Sequence, residues 1–264
     1  MIDFQDEFQK LGMLIYAGLV YGSMKRDIDI FIVLEDYRRF HDIKNEIDRI
    51  SRSLGKPMDV DIKDLGTFDY RIMNHDYYIA SVLATTQFYI SNQSFFEIAK
   101  RRIFADITDR KPILFNFMEG LSILDFCEYA FQSFEFYRRF EWYKTNPNPN
   151  EFSRVTLDGL SAPFNVEQSS ESTRYYLGET VRNIRFSLGY LIAVKKMVEN
   201  GRVIDLYTLL SNPLDTPEYM LFMECTIDIE RYKEGNILDP TRIRNNIKRL
   251  KEFYRICAKE LKLL

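Results

Sequence analysis

Cysteine is scarce: Cys127, Cys225 and Cys257 stand far apart and odd in number, which excludes a disulfide framework and a C-x-x-C metal or redox site. That usage points to a reducing, cytoplasmic home. Histidine is scarcer still, and with His41 and His75 alone a His-rich zinc site or two-histidine catalysis is hard to assemble. With 11 Gly and 8 Pro against 46% hydrophobic and 28% charged residues, the chain is no disordered tail, collagen or low-complexity array. No apolar run reaches the ~18 residues of a membrane span. Met1 to Lys10 carries acidic residues where a signal peptide has basic ones, so the expectation is a soluble, untargeted chain with no membrane partner. A large charge of one sign is also missing. The 36 basic and 39 acidic residues leave a net charge of -3, divided as 16 against 18 up to Pro112 and 20 against 21 beyond it. Neither half is a general polyanion binder, which argues against long nucleic acid as a partner.

What is present fits two modest domains in 264 residues. Leu14 to Tyr21 (LIYAGLVY) and Ile28 to Leu34 (IDIFIVL) are short apolar runs, and Met58 to Leu65 (MDVDIKDL) alternates apolar and charged residues. All three predict strands. Between the last two, Phe40, Ile43, Ile47, Ile50 and Leu54 recur at three- and four-residue steps, a helical stripe closed by Gly55-Lys56-Pro57. The pattern continues with a helix over Asp69 to Ala84, a strand over Gln87 to Ser91 and a helix over Ser94 to Phe104 capped by its serine. After Lys111-Pro112 the period of two disappears. Helical patterns cover Leu114 to Tyr143, Thr173 to Asn200, Val203 to Leu210, Pro217 to Glu234 and Pro240 to Leu264, with a polar loop over Asn150 to Ser172 after the breaker Asn146-Pro147-Asn148-Pro149-Asn150.

The chemistry concentrates in Gly22-Ser23-Met24-Lys25-Arg26-Asp27-Ile28-Asp29. On a strand, residues two apart share a face, so Asp27 and Asp29 are placed to present their carboxylates together. Such like charges become favourable with a divalent cation between them, and hard oxygen ligands select Mg²⁺ or Mn²⁺. Asp59 and Asp61 repeat the device on the third strand. A Gly-Ser turn after an apolar strand supplies backbone N–H groups and a hydroxyl that can cradle phosphate oxygens, with Lys25 and Arg26 as cations beside them. Weaker candidates are His75, expected to be structural, and Arg138, Arg139, Glu141 and Trp142, which can stack a ring but stand on a helix whose aromatics read first as core. The cations of the last helix cover several faces and read as a solvated surface.

Gly22-Ser23, Asp27-Ile28-Asp29 and Val60-Asp61-Ile62-Lys63-Asp64-Leu65 resemble the nucleotidyltransferase superfamily of DNA polymerase beta and the minimal nucleotidyltransferases. The likeness covers roughly residues 11 to 105. It implies an α+β chain: a small mixed-sheet nucleotidyltransferase domain over residues 1–110 and an all-α helical bundle over 111–264. It further implies catalytic and metal-holding roles for Asp27, Asp29 and Asp61, with Asp59 able to substitute, and contact of Gly22, Ser23, Lys25 and Arg26 with a nucleoside triphosphate. The implied activity moves a nucleoside monophosphate to an acceptor hydroxyl on a small molecule, a protein side chain or a short RNA end. One departure stands out: only Met24, Lys25 and Arg26 separate Gly-Ser from the first Asp, where the family has a longer segment beside the triphosphate. The alternative is therefore a non-catalytic module that senses nucleotide or binds a partner in the manner of an antitoxin. A homo-oligomer is compatible with the sequence, which does not fix the oligomeric state.

Overall fold

The run IDIFIVL forms strand β2 (Ile28–Leu34) with the bounds expected of it, because a strand buried on both faces needs no polar alternation. In the computed structural model, which describes residues 6–25, 27–145 and 168–263, all of β2 but Asp29 is buried. The side chains of 137–145 and 168–172 are not included in that description, so Arg138, Arg139, Glu141 and Trp142 lie outside it, as do Arg26 and most of the predicted polar loop.

β1 (Ala17–Tyr21) runs antiparallel to β2, and β3 (Met58–Asp64) runs parallel to it on the other side. β4 (Thr86–Ser91) pairs antiparallel with β1, giving a mixed four-stranded sheet in the order β3-β2-β1-β4. The parallel pairing requires a crossover, supplied by helix α2 (Phe40–Leu54). Its stripe residues Ile43 and Ile50 join Ile28, Ile30, Ile32 and Leu34 in one core, to which the short helix α1 (Gln9–Gly12) adds Leu11. Gly55 closes α2 in the left-handed conformation, with φ +62°.

Phe31 points to the opposite face and packs on Phe68, with ring centroids 5.8 Å apart. Phe68 belongs to α3 (Leu65–Met73) and also meets Phe95 and Phe96 of α5 (Gln93–Ile103). Two expectations change here. The helix predicted over Asp69 to Ala84 is two helices, α3 and α4 (Tyr77–Ala84), because Asp76 accepts hydrogen bonds from the N–H groups of Tyr78 and Ile79 and starts a new helix there. His75 fills the break at φ +48°, its Nδ1 bonded to the Ile103 carbonyl at 2.7 Å, a structural role. The cap of α5 is Asn92 in a left-handed conformation, not Ser94, whose hydroxyl donates to the Asn92 side chain.

The remaining described helices are α6 (Lys111–Thr145), α7 (Gln168–Asn200), α8 (Leu206–Ser211), α9 (Pro217–Lys233) and α10 (Pro240–Glu260). The chain is thus α+β, and its packing divides it into two compact units. One comprises the residues up to Phe117 with Ala193–Pro213, and the other Met118–Ile192 with Leu214–Leu264. In the first unit, the later segment is tied in where the Leu206 N–H donates to Ser81 Oγ and the Ile107 N–H to the Gly201 carbonyl. In the second, Tyr254 donates from its buried hydroxyl to the Ser187 carbonyl, and Ser187 donates to the Gly120 carbonyl. Burial pushes the Cys225 thiol up to about 12 and Cys127 well above its usual range, so neither presents a ready thiolate. On α10, Arg242, Arg244, Arg249, Lys251 and Arg255 pair with Asp228, Glu135, Glu224, Glu128 and Glu252. The last four pairs agree with a solvated, self-neutralised surface, whereas Arg242 turns to an aspartate that is buried. No helix among the described residues is long and apolar enough to cross a membrane.

Candidate functional site

Register decides which acids meet. Asp29 stands opposite Tyr21 on β1 and opposite Asp59 on β3, so these three side chains form one row across the sheet on the Phe31 face. One row further along, Asp61 stands opposite Phe31, and then Lys63 opposite Val33. Neighbouring strands run about 4.8 Å apart, which makes Asp29 and Asp59 direct cross-strand neighbours with Asp61 on the diagonal. The strand begins at Ile28, so Asp27 sits in the bend just before it, half-buried and outside the paired register.

Glycine at position 22 has a specific purpose. Its φ is +74°, and a Cβ there would lie 2.6 Å from Asp29 Oδ2. The Asp29 carboxylate therefore rests on bare backbone at the end of β1. Gly22→Ala should cost about 1–2 kcal/mol from the left-handed backbone alone. It should also push the Asp29 carboxylate aside, so a chemical denaturation midpoint and the divalent-ion affinity should fall together. A variant as stable and as tight as the parent would show that the close approach has no consequence.

The turn after Gly22 differs from the expected phosphate cradle in one respect. Gly22 N–H is not available to a ligand: it donates to the Thr85 carbonyl, because Tyr21 pairs with Thr86 and carries the β1–β4 ladder to this point. The Gly22 carbonyl accepts from Gln87, and the Met24 carbonyl accepts from Lys56 Nζ at 2.8 Å, with Met24 itself at φ +49°. Ser23 and Lys25 remain exposed on the turn.

Two tyrosines meet at the acid face, Tyr21 from β1 and Tyr78 from α4. The hydroxyls of Tyr21 and Tyr78 lie 3.2 Å apart, and Tyr78 is also hydrogen-bonded to Asp61. Burial first, and then the negative charge of Asp29, Asp61 and Asp59, holds the Tyr21 hydroxyl protonated above the ordinary phenol range. Tyr78 is raised for the same reasons, burial leading, followed by Tyr21 and Asp61. Both tyrosines are neutral donors at physiological pH. A phenol hydroxyl donates to a carboxylate, so Tyr78 donates to Asp61, while either tyrosine serves as donor in the bond between the two. Asp61 has a second partner in Lys63, whose Nζ lies 2.6 Å from Oδ1, both side chains being 24% exposed.

Among the described residues no three His, Cys, Asp or Glu side chains are gathered so as to hold a metal ion on their own. An all-protein cage is not what this face offers. The two carboxylates in register, Asp29 and Asp59, are hard oxygen donors of the kind that suits an ion keeping most of its waters, which is the habit of Mg²⁺. Sequence reasoning missed Tyr78 and Lys63. Tyr78 carried no sequence signal, whereas Lys63 follows Asp61 at the same-face spacing of two.

A cleft of about 750 Å³ lies elsewhere in the same unit, at the far end of β2, lined among others by Met13, Tyr16, Leu34, Glu35, Arg38 and Arg39. From Asp29 to Leu34, which lines the cleft, β2 advances by five residues, roughly 17 Å. Arg38 there is occupied: its side-chain and backbone hydrogen bonds hold the Asp36 carboxyl at about 2. No protein-family model matches the chain, and no curated protein or solved structure is significantly similar to it.

Proposed function

We propose that the Asp29–Asp59 face is the site of a Mg²⁺-dependent nucleotidyl transfer. In this reaction an acceptor hydroxyl attacks the α-phosphorus of a nucleoside triphosphate, the bond to the β-phosphate oxygen breaks, and pyrophosphate leaves. The observation that carries the reading is the register of Asp29 against Asp59, with Gly22 leaving room for the Asp29 carboxylate. The order strand, turn, strand, helix, strand around that pair agrees with the nucleotidyltransferase resemblance of the sequence. Asp29 and Asp59, with Asp27 at the mouth of the turn, would hold the ion, and Mn²⁺ would suit the same oxygens. When bound, the ion supplies positive charge to the triphosphate oxygens and to the leaving pyrophosphate. Ser23 and Lys25, exposed on the turn, are placed to contact phosphate oxygens, and Arg26 follows them in sequence. The acceptor proton passes to a carboxylate of the cluster or to water.

A second reading is a module that binds nucleotide without turning it over. The hydrogen bond from Gly22 N–H to Thr85 favours it, because a cradle short of one donor holds the triphosphate less rigidly. Incubation of the full chain with each labelled nucleoside triphosphate and Mg²⁺ separates the two. The leading reading expects metal-dependent pyrophosphate release and label on the protein or on a component of a cell extract. Saturable binding with no release supports the second reading, and no binding of any nucleotide refutes both.

A further inference from the structure

The cleft at the far end of β2 follows from the sheet topology. β1 is antiparallel to both of its neighbours, so the end of β2, the start of β1 and the end of β4 come to one margin of the sheet, with Ala17 opposite Val33 and Gly18 opposite Ser91. The chain segments that enter and leave the strands there supply the walls, and the volume of about 750 Å³ lies in the range of small-molecule sites. Met13, 72% exposed, and Tyr16 give it apolar surface, the Tyr16 ring being held edge-on against Phe95 with centroids 5.2 Å apart. Four charged side chains line the cleft. Arg38 and Asp36 satisfy each other, through the backbone N–H and the guanidinium of the arginine. Glu35 and Arg39, both exposed, have no ion-pair partner among the described residues, and Arg39 donates only to the Met13 carbonyl, at 3.3 Å.

The geometry points to a ligand site in this cleft for a zwitterion with an apolar side chain, a free amino acid or a short peptide: its carboxylate meets Arg39, its ammonium meets Glu35, and its side chain lies against Met13 and Tyr16. The site is apart from the acid face and does not depend on the nucleotidyl-transfer reading. One carboxylate and one guanidinium without ion-pair partners, set in the wall of one cleft, define the charge pattern that would neutralise them both. A purely anionic ligand would meet Glu35 as a like charge, and a purely cationic one would meet Arg39 in the same way. The Met13 carbonyl holds one side of the Arg39 guanidinium, which leaves the rest of its planar fork for a carboxylate.

Titration calorimetry on the full chain tests both charges separately, with phenylalanine as the probe. Phenylalanine should bind saturably, whereas N-acetylphenylalanine, which lacks the ammonium, and phenylalaninamide, which lacks the carboxylate, should each bind about tenfold more weakly, the scale of one charge-assisted hydrogen bond. Glu35→Gln should erase the preference over the N-acetyl compound and keep the preference over the amide; Arg39→Gln should do the reverse. Circular dichroism checks that both variants are folded. The dipeptide phenylalanyl-alanine separates the two sources: tighter binding than phenylalanine identifies a peptide, weaker binding a free amino acid, and both orders support the site. No saturable binding of either probe at millimolar concentration, acetate binding as tightly as phenylalanine, or preferences unchanged in both folded variants would overturn the assignment.

Discussion

Asp29→Asn should lower metal-dependent turnover by at least about 10²–10³-fold, the scale on which a single transition-state electrostatic contact acts, while the fold persists. The substitution keeps the shape that rests on Gly22 and removes one negative charge from the row Tyr21–Asp29–Asp59. Thermal stability should stay level or rise slightly, because the cross-strand repulsion with Asp59 is relieved. Loss of function without loss of stability is the signature of a ligand-holding carboxylate. Steady-state kinetics beside a melting curve give the answer. Full activity in the variant, or its unfolding, would show that Asp29 is not held there for an ion.

Asp76→Ala should cost stability, by about 3–5 kcal/mol, the usual consequence of removing one partner of a buried ion pair. Asp76 is fully buried, pairs with Arg71, and accepts from Tyr78 N–H at 2.7 Å and Ile79 N–H at 3.3 Å. Its removal leaves the Arg71 guanidinium without that partner and the first turn of α4 without its cap. A smaller loss is expected for Asp76→Asn, which keeps an acceptor for the helix. Urea denaturation measures both, and a loss below about 1 kcal/mol for the alanine variant, no more than an ordinary helix cap contributes, would mean that the pair adds little. The site is affected as well, since Asp76 fixes the start of the helix that brings Tyr78 to Asp61.

Elements whose burial is uniform along their length were legible in the sequence. β2 shows itself as an unbroken apolar run, and α2 as a stripe ending in a glycine that the left-handed turn requires. β3 shows itself by alternation. The break between α3 and α4 was hidden because Phe68, Ile72, Ile79 and Leu83, all buried, continue an apolar helical pattern across it. Only the competition of the Asp76 side chain for two N–H groups ends one helix and begins the next.

Of the site, the carboxylates and the glycine were readable one by one, and their grouping was not. Whether Asp59 or Asp61 faces Asp29 depends on the register of a parallel pair joined by a helical crossover, and no local spacing encodes it. The Tyr21–Tyr78 contact joins residues 57 positions apart, and the partner of Gly22 N–H lies at the start of a strand that pairs only once the sheet is built. The Lys63–Asp61 pair is the exception, being a same-face step of two within a strand already recognised.

β3 is also the margin of the sheet. A margin is where a strand from another molecule can add itself, and an apolar strand in that position invites fibrous stacking. Asp59, Asp61 and Lys63 put charge at every second position along one side of β3, so an intruding strand would meet charged groups instead of a matching apolar row. The charged residues of the acid face therefore also keep this border from adhering to its own kind. Changes that make all three apolar would turn β3 into an adhesive edge, while any one of the three can be changed with the other two still in place.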